Sequence, residues 1–277
     1  MLSLNPMNWL GKQIAKYLQK PSATYQSKTT CEPHALAKTI RKGDVLLIDG
    51  VSRVSTAIKY LTQSTWSHAT LCINDQRDND APNGDQILLL EADVVEGVRT
   101  VPLSFYSDQG TRLCRPVGLK PVDIDAVVEF AKTKLGDQYD TKNVIDLARF
   151  LIQTPPVPVG WRKRMLTLGS GDPTRAICSS LLAQCFQSVK YPILPDKIAH
   201  PEEQKGWFFQ SRHHSLFVPR DFDLSPYFAI IKPTIEQQFD PYGIAWTDMI
   251  DEKNSSKISP PNHLNLGESN AAATPKL

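Results

Sequence analysis

Strand-like and helix-like hydrophobic spacings are segregated along this chain, and that segregation limits the fold more than any other feature. Val45, Leu46, Leu47 and Ile48 form a short unbroken apolar run closed by the turn signal Asp49-Gly50, the pattern of a buried strand. Residues 69–73 make a second such run, and further strands are expected at residues 87–91, 97–101 and 111–115. Residues 74–86, with Asn, Asp, Gly and Pro, read as a surface loop. Helical spacing marks Val54, Ala57, Ile58 and Leu61 early in the chain. It then dominates in three later stripes: Ile124, Val127, Val128, Ala131 and Leu135; Val144, Leu147, Ala148, Leu151 and Ile152; and Cys178, Leu181, Leu182, Cys185, Phe186 and Val189. Strands gathered apart from helices predict an α+β domain.

No internal repeat is present, and 277 residues suffice for one core with appendages. In residues 1–20, Met7, Leu10, Ile14, Tyr17 and Leu18 share one side of a helical wheel, with Lys12, Lys16 and Lys20 opposite and Asn5-Pro6 as cap and first turn. Such an amphipathic helix packs on the domain or lies on an anionic membrane surface; Trp9 on its polar side counts against the second. Residues 21–40 are polar and irregular and read as a linker. The domain spans 41–250, with an exposed loop rich in Pro, Gly and basic residues at 153–172 and an aromatic-containing extension from about 190. Residues 251–277 lack periodicity and read as a disordered tail.

Composition removes several function classes. A net charge of +2, with Arg162-Lys163-Arg164 as the densest basic run, gives no case for nucleic acid as a partner. Five cysteines, an odd number without a C-x-x-C pair, argue against a disulfide framework and a thiolate zinc site, and for a reducing compartment. No apolar run approaches the ~20 residues of a membrane-spanning helix, and lysines interrupt the N-terminal stretch too often for a signal peptide. A cytoplasmic protein is expected, with peripheral contact at the inner face of the membrane as the alternative. G-x-G-x-x-G, G-x-x-x-x-G-K-[ST] and H-E-x-x-H are all absent, so neither cofactor nor metal is expected. His213-His214, without nearby ligand spacing, reads as a surface pair.

Three residues stand out chemically. A cysteine hydrolase needs a thiolate, a base to generate it and a group to orient the base. Cys178 follows a Gly-rich turn (Gly169, Gly171) in the first turns of a helix, where the dipole and free N–H groups favour negative charge. His68 follows a polar loop and opens an apolar strand. Glu91 ends the run Ile87-Leu88-Leu89-Leu90, where an unpartnered buried charge is costly. Each also has a plainer reading: a buried structural cysteine, a satisfied strand-edge histidine, the first solvated residue after a strand. Cys72, within a strand, and Cys185, mid-helix, keep the plain reading, as does Cys114.

The order of motifs adds what no single residue carries. Gly43-Asp44 before a strand, Trp66-Ser67-His68 opening the next, Leu90-Glu91-Ala92, Leu135-Gly136-x-x-Tyr139-Asp140, and Cys178-Ser179 opening a helix together resemble the bacterial YiiX/YebB-like proteins. These are NlpC-type papain-like cysteine hydrolases in circularly permuted order, with histidine before cysteine. The resemblance covers about residues 41–190. It implies a permuted papain-like fold, a small antiparallel sheet or barrel packed against helices, and a Cys178–His68–Glu91 triad acting through an acyl-enzyme. Tyr139, Ser179 and Trp66 are candidates for substrate or oxyanion contacts, and Tyr139 also has a plainer reading as a core aromatic between two helices. One departure is Ile177, where relatives often carry a tyrosine that assists the oxyanion. The expected substrate is a peptide or small-molecule amide. A lipid acyl ester is the alternative, because lecithin:retinol acyltransferase-like enzymes share the His-before-Cys order. The third reading is a non-catalytic binding module on the same fold.

Overall fold

The apolar run at residues 45–48 becomes β1 (Val45–Asp49), and all five of its residues are buried. The computed structural model describes residues 17, 19–21, 25, 27, 28, 31–76, 86–93, 96–138, 177–199 and 207–237, all within the compact unit Met1–Phe239. The expected helix at 144–152, the loop at 153–172 and the tail at 251–277 lie outside the described residues.

β1 runs unbroken in hydrophobicity because the sheet is covered on both faces. The strands β2 (His68–Asn74), β3 (Leu88–Asp93), β4 (Gly97–Pro102), β5 (Gly110–Pro116) and β8 (Phe228–Ile231) join it in the order β4-β3-β2-β1-β5-β8. Every pairing is antiparallel. The result is an open six-stranded sheet with β4 and β8 at its edges, in an α+β arrangement. β6 (Asp196–Ala199) and β7 (Trp207–Gln210) form a separate two-stranded sheet.

Helices fall where their caps and spacing put them. Ser52 caps α2 (Arg53–Thr62), accepting from the Ser55 N–H, and Gln63 closes it in the left-handed region at φ 50. Proline at the start opens α3 (Pro121–Lys132), with Asp123 in its first turn and Lys132 in its last, as the helix dipole favours. α4 (Ile177–Ser188) carries the third stripe. On one face of the sheet Val45, Leu47, Ala69, Leu71 and Leu90 pack with Val127, Val128 and Ala131 of α3 and Leu181, Leu182 and Phe186 of α4. On the other face Leu46, Ile48, Cys72 and Leu89 meet Leu36, Ile40, Val101, Leu103 and Tyr106.

One span differs from expectation. Within residues 21–40, assigned to a linker, Pro33–Thr39 forms α1 and buries Leu36, while Ile40 follows it into the core. Seven residues expose too little period to register as a stripe. The span from about 190, read as an extension of the domain with aromatics that suggest packing, joins its core. Phe217, Phe222 and Phe228 join the cluster around α4, and β8 pairs with β5; α5 (Pro219–Leu224) and α6 (Pro233–Glu236) flank that strand.

The N-terminal residues that are described cross the end of the sheet where β2 begins. Gln19 donates to both Asp93 carboxylate oxygens at the end of β3, and Pro21 bridges Ser52 beyond the end of β1. Tyr25 and Ser27 then donate to Asp49, and Ser27 accepts from the Gly110 N–H at the start of β5. Among the described residues no helix is long and apolar enough to cross a membrane.

Candidate active site

His68 is the first residue of β2, and the turn before it is built around close backbone approach. Ser67 Oγ accepts from the Gly50 N–H at 3.0 Å. A Cβ on residue 50 would stand 2.3 Å from Ser55 Oγ and 2.8 Å from Ser67 Oγ, so only glycine fits there without displacing both serines. Trp66, also in this turn, is buried and donates its indole N–H to Asp223 at 3.0 Å. Arg112 pairs with the same carboxylate at 2.7 Å.

Glu91 sits on the face of β3 opposite Leu90 and Ala92, and is only 3% exposed. Three donors meet it. His68 Nε2 lies 2.9 Å from Oε2, the Tyr106 hydroxyl donates to the same oxygen, and Arg99 Nε donates to Oε1 at 2.8 Å. Cys178, the second residue of α4 and 4% exposed, approaches from the opposite cluster. It is hydrogen-bonded to His68, and the N–H groups of Ala69 and Ser179 point at its sulfur. With Nε2 on Glu91, the imidazole keeps Nδ1 for the thiol.

The ionisation of the three groups follows from this packing. Burial pushes the Cys178 thiol up, but the charge and hydrogen bond of His68, joined by the two backbone N–H groups, outweigh it and hold the thiol below its ordinary value. Burial pulls His68 down, and is outweighed by Cys178 and then by Glu91, which raise the imidazole. Glu91 is likewise pushed up by burial, yet its bonds to His68, Tyr106 and Arg99 bring it to about 2. The arrangement favours a thiolate, an imidazolium and a carboxylate together. Cys114 and Cys185 go the other way: burial raises both, Cys185 to about 12.

The structure therefore brings Cys178, His68 and Glu91 together. Ser179 contributes its N–H to the sulfur, while its hydroxyl donates to the Phe217 carbonyl at 2.7 Å. The Trp66 indole faces Asp223. Tyr139 lies outside the described residues, as does the side chain of Ile177. Two residues that sequence reasoning missed are Arg99 and Tyr106. Arg99 stands directly opposite Glu91 in the β3–β4 register, and an acid and a base placed symmetrically about a glycine-closed hairpin was a readable signal. Tyr106 ends a short 3-10 turn, Leu103–Tyr106, and nothing local marks it. Among the described residues no group of three His, Cys, Asp or Glu side chains is placed to hold a metal ion.

No family model and no curated protein matches the chain. Among solved structures it is similar to the metalloprotein yiiX from Escherichia coli O157:H7, at 15% identity and a TM-score of 0.41, over 75% of this chain and 98% of that one. A likeness that distant has no bearing on the chemistry of the site.

Proposed function

We propose that the protein is a cysteine hydrolase of the permuted papain-like kind, with Cys178 as nucleophile, His68 as acid and base, and Glu91 orienting the imidazole. The observation that carries this reading is the contiguous arrangement of a buried thiol hydrogen-bonded to His68, and of that imidazole 2.9 Å from the buried Glu91 carboxylate. Catalytic nucleophiles and bases are activated by neighbours arranged in this way.

The thiolate of Cys178 attacks a carbonyl carbon and a C–S bond forms. As the tetrahedral adduct collapses, the bond to the leaving amine or alcohol breaks, and the His68 imidazolium gives that group its proton. Water then attacks the thioester. Neutral His68 takes the water's proton, the C–S bond breaks, and a carboxylic acid leaves the regenerated thiolate–imidazolium pair. Backbone N–H groups at the start of α4, with that of Cys178 as first candidate, stabilise the oxyanion.

The scissile bond is an amide, with peptides of cell-wall type among the first substrates to try, or an acyl ester. Wild type and Cys178→Ala, each as the full chain, would be assayed on peptide amides and on acyl esters in parallel. Turnover by wild type on one class, lost in the variant, supports the reading and assigns the bond. Equal behaviour of the two proteins on both classes, with Cys178 no more reactive to iodoacetamide than the other cysteines, would favour a binding module instead.

A further inference from the structure

Glu91 is 3% exposed, and of its three donors His68 is a cation for only part of the cycle. In the cycle above, His68 is neutral from the moment it protonates the leaving group until water attacks the thioester. Over that interval the buried carboxylate loses its imidazolium partner, and a buried carboxylate left with no other cation would draw a proton. A Glu91 that took one would hold the His68 N–H only as a neutral acceptor, without the charge that strengthens the bond.

Arg99 and Tyr106 are placed to prevent this. The guanidinium is charged at every accessible pH and holds Oε1 at 2.8 Å, while the phenol holds the oxygen that His68 also uses. The carboxylate is thus fixed at both oxygens and cannot rotate away from the ring. An ordinary surface ion pair contributes little, and Arg99 is 32% exposed; its partner, however, is buried. The charged and titratable groups facing the cluster are Cys178 from α4, His68 from β2, Glu91 and Asp93 from β3, Glu96 and Arg99 at β4, and Tyr106. Glu96 Oε2 lies 3.7 Å from Arg99 Nη1 and is mostly exposed, so it is the weaker claim on that cation.

We propose that Arg99 and Tyr106 are positioning residues, which keep Glu91 ionised and fixed while His68 loses and regains its proton. The proposal rests on reading Cys178 as a thiolate nucleophile. With thiolate, imidazolium, carboxylate and guanidinium present, the four central groups sum to zero charge. Without the guanidinium they carry one net negative charge and the cluster binds a proton more readily; a proton on Glu91 weakens the imidazolium, which then returns its own proton to the sulfur, so less thiolate stands at a given pH.

The test is the pH dependence of Cys178 alkylation by iodoacetamide, read by mass in the full chain. Arg99→Gln should move the acid limb up by about one pH unit, a tenfold slower reaction below the midpoint. Arg99→Lys should restore most of it, because charge rather than shape is what the site needs. Tyr106→Phe keeps the ring and should shift the limb the same way by less. An unmoved limb in Arg99→Gln, or an equal shift in the lysine variant, overturns the proposal. A wild-type limb already at the ordinary thiol value would instead remove the nucleophile reading on which the proposal stands.

Discussion

His68 and Glu91 meet at 2.9 Å across neighbouring strands, on the face of the sheet away from Leu71 and Leu90. In antiparallel pairing that makes them diagonal neighbours, a distance that only long side chains span. The contact links the acid–base chemistry to the stability of the sheet, and both are open to measurement.

The stability that Glu91 brings should vanish in acid. Its carboxyl falls to about 2 in the folded protein, from about 4.3 in an unfolded chain, so the stabilisation is full above the unfolded value and is lost as the pH falls through the folded one. Glu91→Gln should cost about 3–5 kcal/mol at pH 7, and urea titrations should show that difference shrinking between pH 4 and pH 2. A difference that stays constant would contradict the assignment.

Cysteine labelling should be selective. At pH 6 a mild alkylator should modify Cys178 well before Cys114 or Cys185, whose thiols burial raises. His68→Ala removes the counter-charge and should slow Cys178 by about tenfold or more, consistent with a thiol returned toward its ordinary range. Peptide mapping after timed labelling reads both effects.

A second buried ion pair should separate fold from chemistry. Asp44 accepts from Arg115 Nε at 2.8 Å and Nη2 at 2.7 Å, at the foot of β1. Burial raises the Asp44 carboxyl even so, which fits a pair whose desolvation offsets much of its attraction. Asp44→Ala strands the arginine and should cost about 3–5 kcal/mol in chemical denaturation, with the Cys178 alkylation rate unchanged at temperatures where the variant is folded.

Gly50→Ala should do the opposite and disturb the site. The new Cβ would press on Ser55 and Ser67, the latter adjacent to His68. A loss of about 1–3 kcal/mol is expected from overpacking, together with slower alkylation of Cys178. Unchanged alkylation would mean that the turn absorbs the methyl group without moving the histidine.

Much of this could be read from sequence because the relevant signals are local. β1 to β5 are short runs bounded by turn residues, and the charge at the end of Ile87-Leu88-Leu89-Leu90 raised a buried, partnered Glu91 as one of two readings. What escaped was set by distance along the chain. β8 is four residues long and exists through its pairing with β5, where Leu113 meets Ile231. Tyr106 reaches Glu91 because β3 and the 3-10 turn pack on the same face, which no spacing rule records. Cys178 and His68 were each ambiguous alone. Their contact depends on α4 packing against β2, a tertiary fact.

The two hydrophobic layers of the sheet have a chemical consequence as well as a mechanical one. Cys178 belongs to one layer and Tyr106 to the other, and His68 joins them at the first residue of β2. In a newly made or partly loosened chain Cys178 would be one ordinary thiol among five. Folding divides them: the contact with His68 that lowers Cys178 forms only when both layers have closed, and burial in the same fold raises Cys114 and Cys185.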